Sequence, residues 1–117
     1  MKNQLLKAIR KKMLNQFPSN TKALWAYYWY CADCGKNNGV SLHHIVGRGG
    51  TKRADVEDSA LNAIPLCLTC HTYGNIHSPE TRKKYFDIVQ DHLANEYYQY
   101  TDKDMEFMKK YNKYFKI

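Results

Sequence analysis

The alternation of apolar and polar positions divides the chain into segments of different period. From Met1 to Phe17, Leu5, Leu6, Ile9, Met13 and Leu14 recur at helical spacing, while Lys2, Lys7, Arg10, Lys11 and Lys12 take the other positions. This predicts an amphipathic helix over 1–17, stopped by Phe17-Pro18-Ser19-Asn20, whose apolar stripe packs on the core and whose basic face is available to phosphates. The run Ala23-Leu24-Trp25-Ala26-Tyr27-Tyr28-Trp29-Tyr30 follows, and its periodicity fits a strand or a buried helix equally well. Such aromatics supply apolar mass to a small core, or, if exposed, stack on an unpaired base.

Val40 to Val46 reads as a short strand carrying His43 and His44, ended by Gly47-Arg48-Gly49-Gly50. The polar stretch from there through Ser59 reads as a surface loop. Ala63-Ile64-Pro65-Leu66 is a second apolar run, which Pro65 confines to an edge or a strand end. Cys67 to Tyr73 should form a short helix ended near Gly74-Asn75. Ser78-Pro79-Glu80 then combines an N-cap, a proline in the first turn and an acid beside it, opening a helix with Phe86, Val89, Leu93 and Tyr97 as its buried stripe. Thr101-Asp102-Lys103-Asp104 opens a last helix with a capping box, followed by Met105, Met108, Tyr111 and Phe115 on one face.

The fold class expected from these segments is α+β. A β-β-α core occupies 31–77, flanked by an N-terminal helix over 1–17 and two C-terminal helices within 78–117. At 117 residues the chain suits one domain with a modest core, to which a metal staple would add. No apolar run approaches about 20 residues and no secretory leader is visible, so the expectation is a cytoplasmic protein with no membrane partner.

That setting bears on the cysteines, because a reducing compartment favours metal or redox use over disulfides. A redox site needs one Cys-x-x-Cys pair and leaves the other unexplained. Cys31, Cys34, Cys67 and Cys70 instead complete one tetrahedral four-thiolate zinc site, with Gly35 permitting the tight turn of the first knuckle. Such a site is closed and therefore structural, and it can contribute on the order of 10 kcal/mol to folding. The formal charge is +7, and four thiolates with one Zn²⁺ lower it by two, so the loaded protein remains basic. Nucleic acid is the default partner for such a surface.

The zinc site leaves His43, His44, His71 and His77 unclaimed, with Asn62 among them. Phosphodiester hydrolysis needs a base for the attacking water, a cation at the phosphate, and a group that holds the base in one tautomer. Histidine suits the first task, histidines on a strand and a facing helix suit the second, and an asparagine suits the third.

The order His43-His44, Asn62, His71 inside two Cys-x-x-Cys pairs resembles the HNH endonuclease superfamily, over Cys31 to about His77, some two fifths of the chain. The resemblance implies a ββα-metal core knitted by structural zinc, and metal-dependent cleavage of DNA, duplex or branched, in a compact form frequent in phages and mobile elements. By motif position it implies His44 as general base and Asn62 as the residue orienting that base or supporting the site. His43 and His71 would be ligands of a catalytic divalent ion, with His77 a third ligand or a phosphate contact. It also implies that one of Arg48, Lys52 and Arg53 meets the scissile phosphate. His43 stands where an acid is usual, which shifts preference from Mg²⁺ toward Mn²⁺, Ni²⁺ or Zn²⁺. Adjacent strand residues face opposite ways, so His43 and His44 share a site only if the strand ends or twists there.

Two rival readings explain less. A zinc-dependent nucleobase deaminase requires His-x-Glu and a proline directly before its Cys-x-x-Cys, and neither is present. A non-catalytic zinc module binding nucleic acid or protein accounts for cysteines and charge but gives the histidines and Asn62 no task.

Overall fold

A computed structural model describes residues 17–47 and 56–115. Residues 1–16 of the helix expected over 1–17, and the basic residues Arg48, Lys52 and Arg53, lie outside them. The fold is α+β, with four α-helices and one two-stranded antiparallel sheet among the described residues. In chain order these are α1 (Ser19–Leu24), β1 (Val40–His44), β2 (Ala63–Cys67), α2 (Leu68–Tyr73), α3 (Pro79–Asn95) and α4 (Asp102–Lys110). Single 3-10 turns at Val56–Asp58, Ala60–Asn62 and Asn112–Tyr114 complete it.

The ambiguous aromatic segment resolves into the short helix α1 and a following turn. Trp25 is buried against His92 of α3, ring on ring at 3.7 Å, while His92 Nε2 bonds the Leu24 carbonyl at 2.7 Å. Tyr27, Tyr28 and Tyr30 are exposed. Strand β1 pairs with β2 in the register Val40 with Cys67 through His44 with Ala63. Pro65 therefore sits in mid-strand, opposite Leu42, which a two-stranded sheet tolerates because each strand has an outer edge where no ladder N–H is required. On that edge the Pro65 carbonyl accepts from Ala32 N–H at 2.8 Å, which ties the first knuckle to β2.

Helix α3 starts as expected: Ser78 caps it, accepting from Thr81 N–H, with Pro79 in the first turn. Tyr85, Phe86, Val89 and Leu93 form its buried stripe. Tyr97 does not belong to that stripe. The helix closes in a Schellman motif, with Tyr98 N–H on the Leu93 carbonyl and Tyr97 N–H on that of Ala94, which puts Tyr97 at φ 54° and points it into solvent.

Helix α4 opens with the expected capping box between Thr101 and Asp104. Its inward face differs from expectation, since Asp104 and Phe107 are buried and Met105 is exposed. The capping carboxylate fixes the helix's rotation. Phe107 and Phe115 pack with Tyr114 around Phe86, whose truncation to alanine would cost about 3–5 kcal/mol. The stretch before Ser59 is also not a simple surface loop, for Val56–Asp58 forms a 3-10 turn and Ser59 is 1% exposed. No helix among the described residues is long and apolar enough to cross a membrane.

Candidate metal centre and histidine site

The two knuckles meet at one end of the sheet. Cys31 and Cys34 come from the loop before β1, Cys67 ends β2, and Cys70 lies one turn into α2. Gly35 adopts φ 79°, the left-handed conformation that lets the first knuckle close, and its N–H returns to the Cys31 carbonyl at 2.9 Å. In each knuckle the second cysteine's N–H points at the first sulfur, Cys34 N to Cys31 Sγ at 3.5 Å and Cys70 N to Cys67 Sγ at 3.4 Å. Helix α2 is thus capped by a sulfur, and Gly74 ends it where any Cβ would meet the Cys70 carbonyl oxygen at 2.2 Å.

All four sulfurs lie within 4.8 Å of one another, with Cys34 Sγ and Cys67 Sγ 3.6 Å apart. A tetrahedron of Zn–S bonds near 2.3 Å has an edge of about 3.8 Å, so the cluster is positioned to bind such an ion. Burial pushes the Cys31 thiol up, but backbone hydrogen bonds at Cys34, Cys67 and Asp33 outweigh it and bring the group down to about 7. Burial and its neighbouring thiols push Cys70 the other way. One sulfur is thus ready to ionise, and a bound cation would deprotonate the rest. Asp33, between the first two cysteines, accepts from Lys84 Nζ and Tyr85 OH, each at 2.7 Å, and those bonds hold its carboxyl below the usual range. The knuckle is thereby fastened to α3.

His43, His44 and His71 sit toward the other end of β1, His43 paired with His71 and His44 paired with a carboxylate. His43 is buried, and its ring stacks face to face on His71 of α2, with centroids 3.7 Å apart and planes 16° from parallel. Its Nε2 is 2.8 Å from Ser41 Oγ. Burial, then the neighbouring His71 and His44, pull the His43 imidazolium down to about 4, and burial lowers His71 too. His43 is therefore neutral near pH 7, and burial favours the neutral form of His71 as well. Their in-plane lone pairs lie in nearly parallel planes, however, so a shared ion would require the rings to turn.

No family model, curated protein or solved structure matches the chain.

The second pair carries different chemistry. His44 ends β1, and its Nε2–H donates to Asp58 Oδ1 at 3.0 Å, while Phe17 stacks on its ring at 4.2 Å. An ordered carboxylate on one nitrogen selects the Nε2–H tautomer and makes Nδ1 the basic atom. Asp58 was not among the residues expected from sequence: it lies 14 positions from His44 in a stretch without periodicity. Asn62 is fully buried and clamps the backbone just past β1, its Oδ1 accepting from Val46 N–H and its Nδ2 donating to the Val46 carbonyl, both at 2.8 Å. Its carbonyl accepts from Ile45 N–H at 3.1 Å. Asn62 thus holds the strand end that presents His44. His77 is exposed in the turn between α2 and α3. Among the described residues, the four cysteines are the one group of three or more potential ligands drawn together.

Proposed function

We propose that this chain is a metal-dependent endonuclease that hydrolyses DNA phosphodiester bonds, with His44 as general base on an HNH-type ββα-metal core. The His44–Asp58 pair carries the reading. A non-catalytic zinc module has no use for a carboxylate that fixes an imidazole's tautomer at the end of a strand. In the proposed reaction His44 Nδ1 takes the proton of the attacking water, and Asp58 stabilises the imidazolium that forms. General-base assistance of this kind contributes about 10²–10⁴-fold. Asn62 keeps the strand end in place while the proton moves.

His43 and His71 are the proposed holders of a catalytic divalent ion, after rotation out of their stack, with His77 as a third ligand or a phosphate contact. When bound, such an ion supplies positive charge to the phosphate and the leaving oxygen. The all-nitrogen donors suit Mn²⁺, Ni²⁺ or Zn²⁺ more than Mg²⁺. One of Arg48, Lys52 and Arg53, which lie between His44 and Asn62 in the sequence, is the proposed phosphate contact, and the charge of +7 suits a DNA partner. The four-cysteine site keeps a structural Zn²⁺, in keeping with a reducing cytoplasm.

One observation favours the rival, a zinc module that binds without cutting: the His43–His71 stack and the Ser41 contact give those rings a structural task already. A cleavage panel separates the two. Supercoiled plasmid, branched DNA and single-stranded DNA are each incubated with the zinc-loaded protein and Mg²⁺, Mn²⁺, Ni²⁺ or added Zn²⁺. Metal-dependent nicking of at least one substrate is expected, and binding without cleavage under every ion would sink the nuclease reading.

A further inference from the structure

Asp104 lies on α4, far in sequence from Cys31–His77, and its carboxylate is 1% exposed. Burying an ionised carboxylate is costly unless its oxygens are fully bonded. Two of its bonds are local, from Thr101 N–H at 2.9 Å and Tyr98 OH at 2.5 Å. The capping box needs nothing further. A third bond comes from Ser59 Oγ at 2.6 Å, across 45 residues of chain.

Ser59 is the joint between the two turns that serve His44. Its N–H closes the turn holding Asp58, on the Val56 carbonyl at 3.1 Å. Its Oγ accepts from Leu61 N–H at 3.1 Å, and its carbonyl accepts from Asn62 N–H at 2.9 Å. Rotation of Ser59 would therefore move Asp58 away from His44 and Asn62 away from Val46 together. The geometry points to Asp104 as a positioning residue for the His44 site, acting through Ser59 to hold Asp58 on the imidazole. This inference rests on the reading of His44 as a base. It gives the C-terminal helix, which lies outside the resembling stretch, a part in the chemistry.

The test uses the full-length, zinc-loaded protein and two readouts, the imidazole ¹⁵N shifts of His44, which report its tautomer, and the kcat and KM of DNA cleavage. Asp58→Asn is the reference for a lost carboxylate. Ser59→Ala and Asp104→Asn break the proposed link, and Tyr98→Phe removes a bond to the same carboxylate on its local side. Wild type and Tyr98→Phe should show the Nε2–H tautomer. Ser59→Ala and Asp104→Asn should show a mixture of tautomers, with kcat lowered about 10–100-fold and KM within about twofold of wild type. If Asp104→Asn does not fold, Ser59→Ala decides.

A wild-type tautomer in Ser59→Ala, or equal tautomer mixing in Tyr98→Phe, would overturn the proposal, since the network would then serve stability alone. Tautomer mixing in a protein that cleaves no DNA would uphold the positioning and overturn only the nuclease reading.

Discussion

The two ends of the small sheet are built on opposite plans. At the knuckle end, four sulfurs from three segments already converge to a spacing that suits one ion. At the end of β1, three histidines lie close by, yet they split into a stack of His43 on His71 of α2 and a carboxylate-held ring, His44, on the other side of the strand. A structural metal site must be complete to fold the chain, whereas the general-base role proposed for His44 requires a basic nitrogen and a group that orients the ring. The alternation of strand side chains produces the split, for His43 turns inward to His71 and its neighbour His44 turns toward Phe17 and Asp58.

The sharpest way to break this contrast is to remove the sulfur site. Cys67→Ser, or a strong zinc chelator, should unfold the domain, because binding at such a site is worth on the order of 10 kcal/mol. Circular dichroism with metal analysis would show loss of helix in step with loss of zinc, and a chelated protein that melts like the parent would deny the site its folding role. At the other end, Asn62→Ala should leave zinc in place yet destabilise the protein by about 1–3 kcal/mol for each Val46 group left unpaired. Denaturant melts would measure the loss, and an unchanged midpoint would argue against the clamp.

Much of this plan is legible in the residues, and the misses share a cause. The knuckles, the two strands, the Ser78 cap and the Thr101 capping box each rest on local spacing or local chemistry, which a sequence displays. Tyr97 continues the spacing of its helix but falls after a Schellman turn, so periodicity overran the helix end. Met105 was expected inside because it fits an apolar face, while the bonds of Asp104 to Ser59 and Tyr98 rotate Asp104 and Phe107 inward instead. Asp58 and Ser59 sit in a polar stretch with no period, and only tertiary pairing gives them meaning.

Acidity gives a subtler distinction between the ends. Burial lowers His43 from 6.5 to about 4, so the unfolded chain binds its proton more readily than the folded one. The neutral ring's contribution is complete above about 6.5 and is lost as the pH falls through that value toward 4. Melts of the parent and of His43→Gln across that window should converge as the pH drops, and parallel curves would mean that His43 is not held neutral. The smallest effect expected is at the knuckle's surface tie: Lys84 is largely exposed, so Lys84→Ala should cost less than about 1 kcal/mol and leave zinc content unchanged. A larger loss, seen in the same melts, would mean that Asp33 needs its partner to hold the knuckle.

The division of labour between sulfur and histidine is tested most directly by His44→Ala, with zinc content and DNA cleavage measured on one preparation. The prediction is one zinc per chain, as in the parent, with cleavage lowered about 10²–10⁴-fold. Cleavage at the parental rate, or zinc and cleavage lost together, would contradict it.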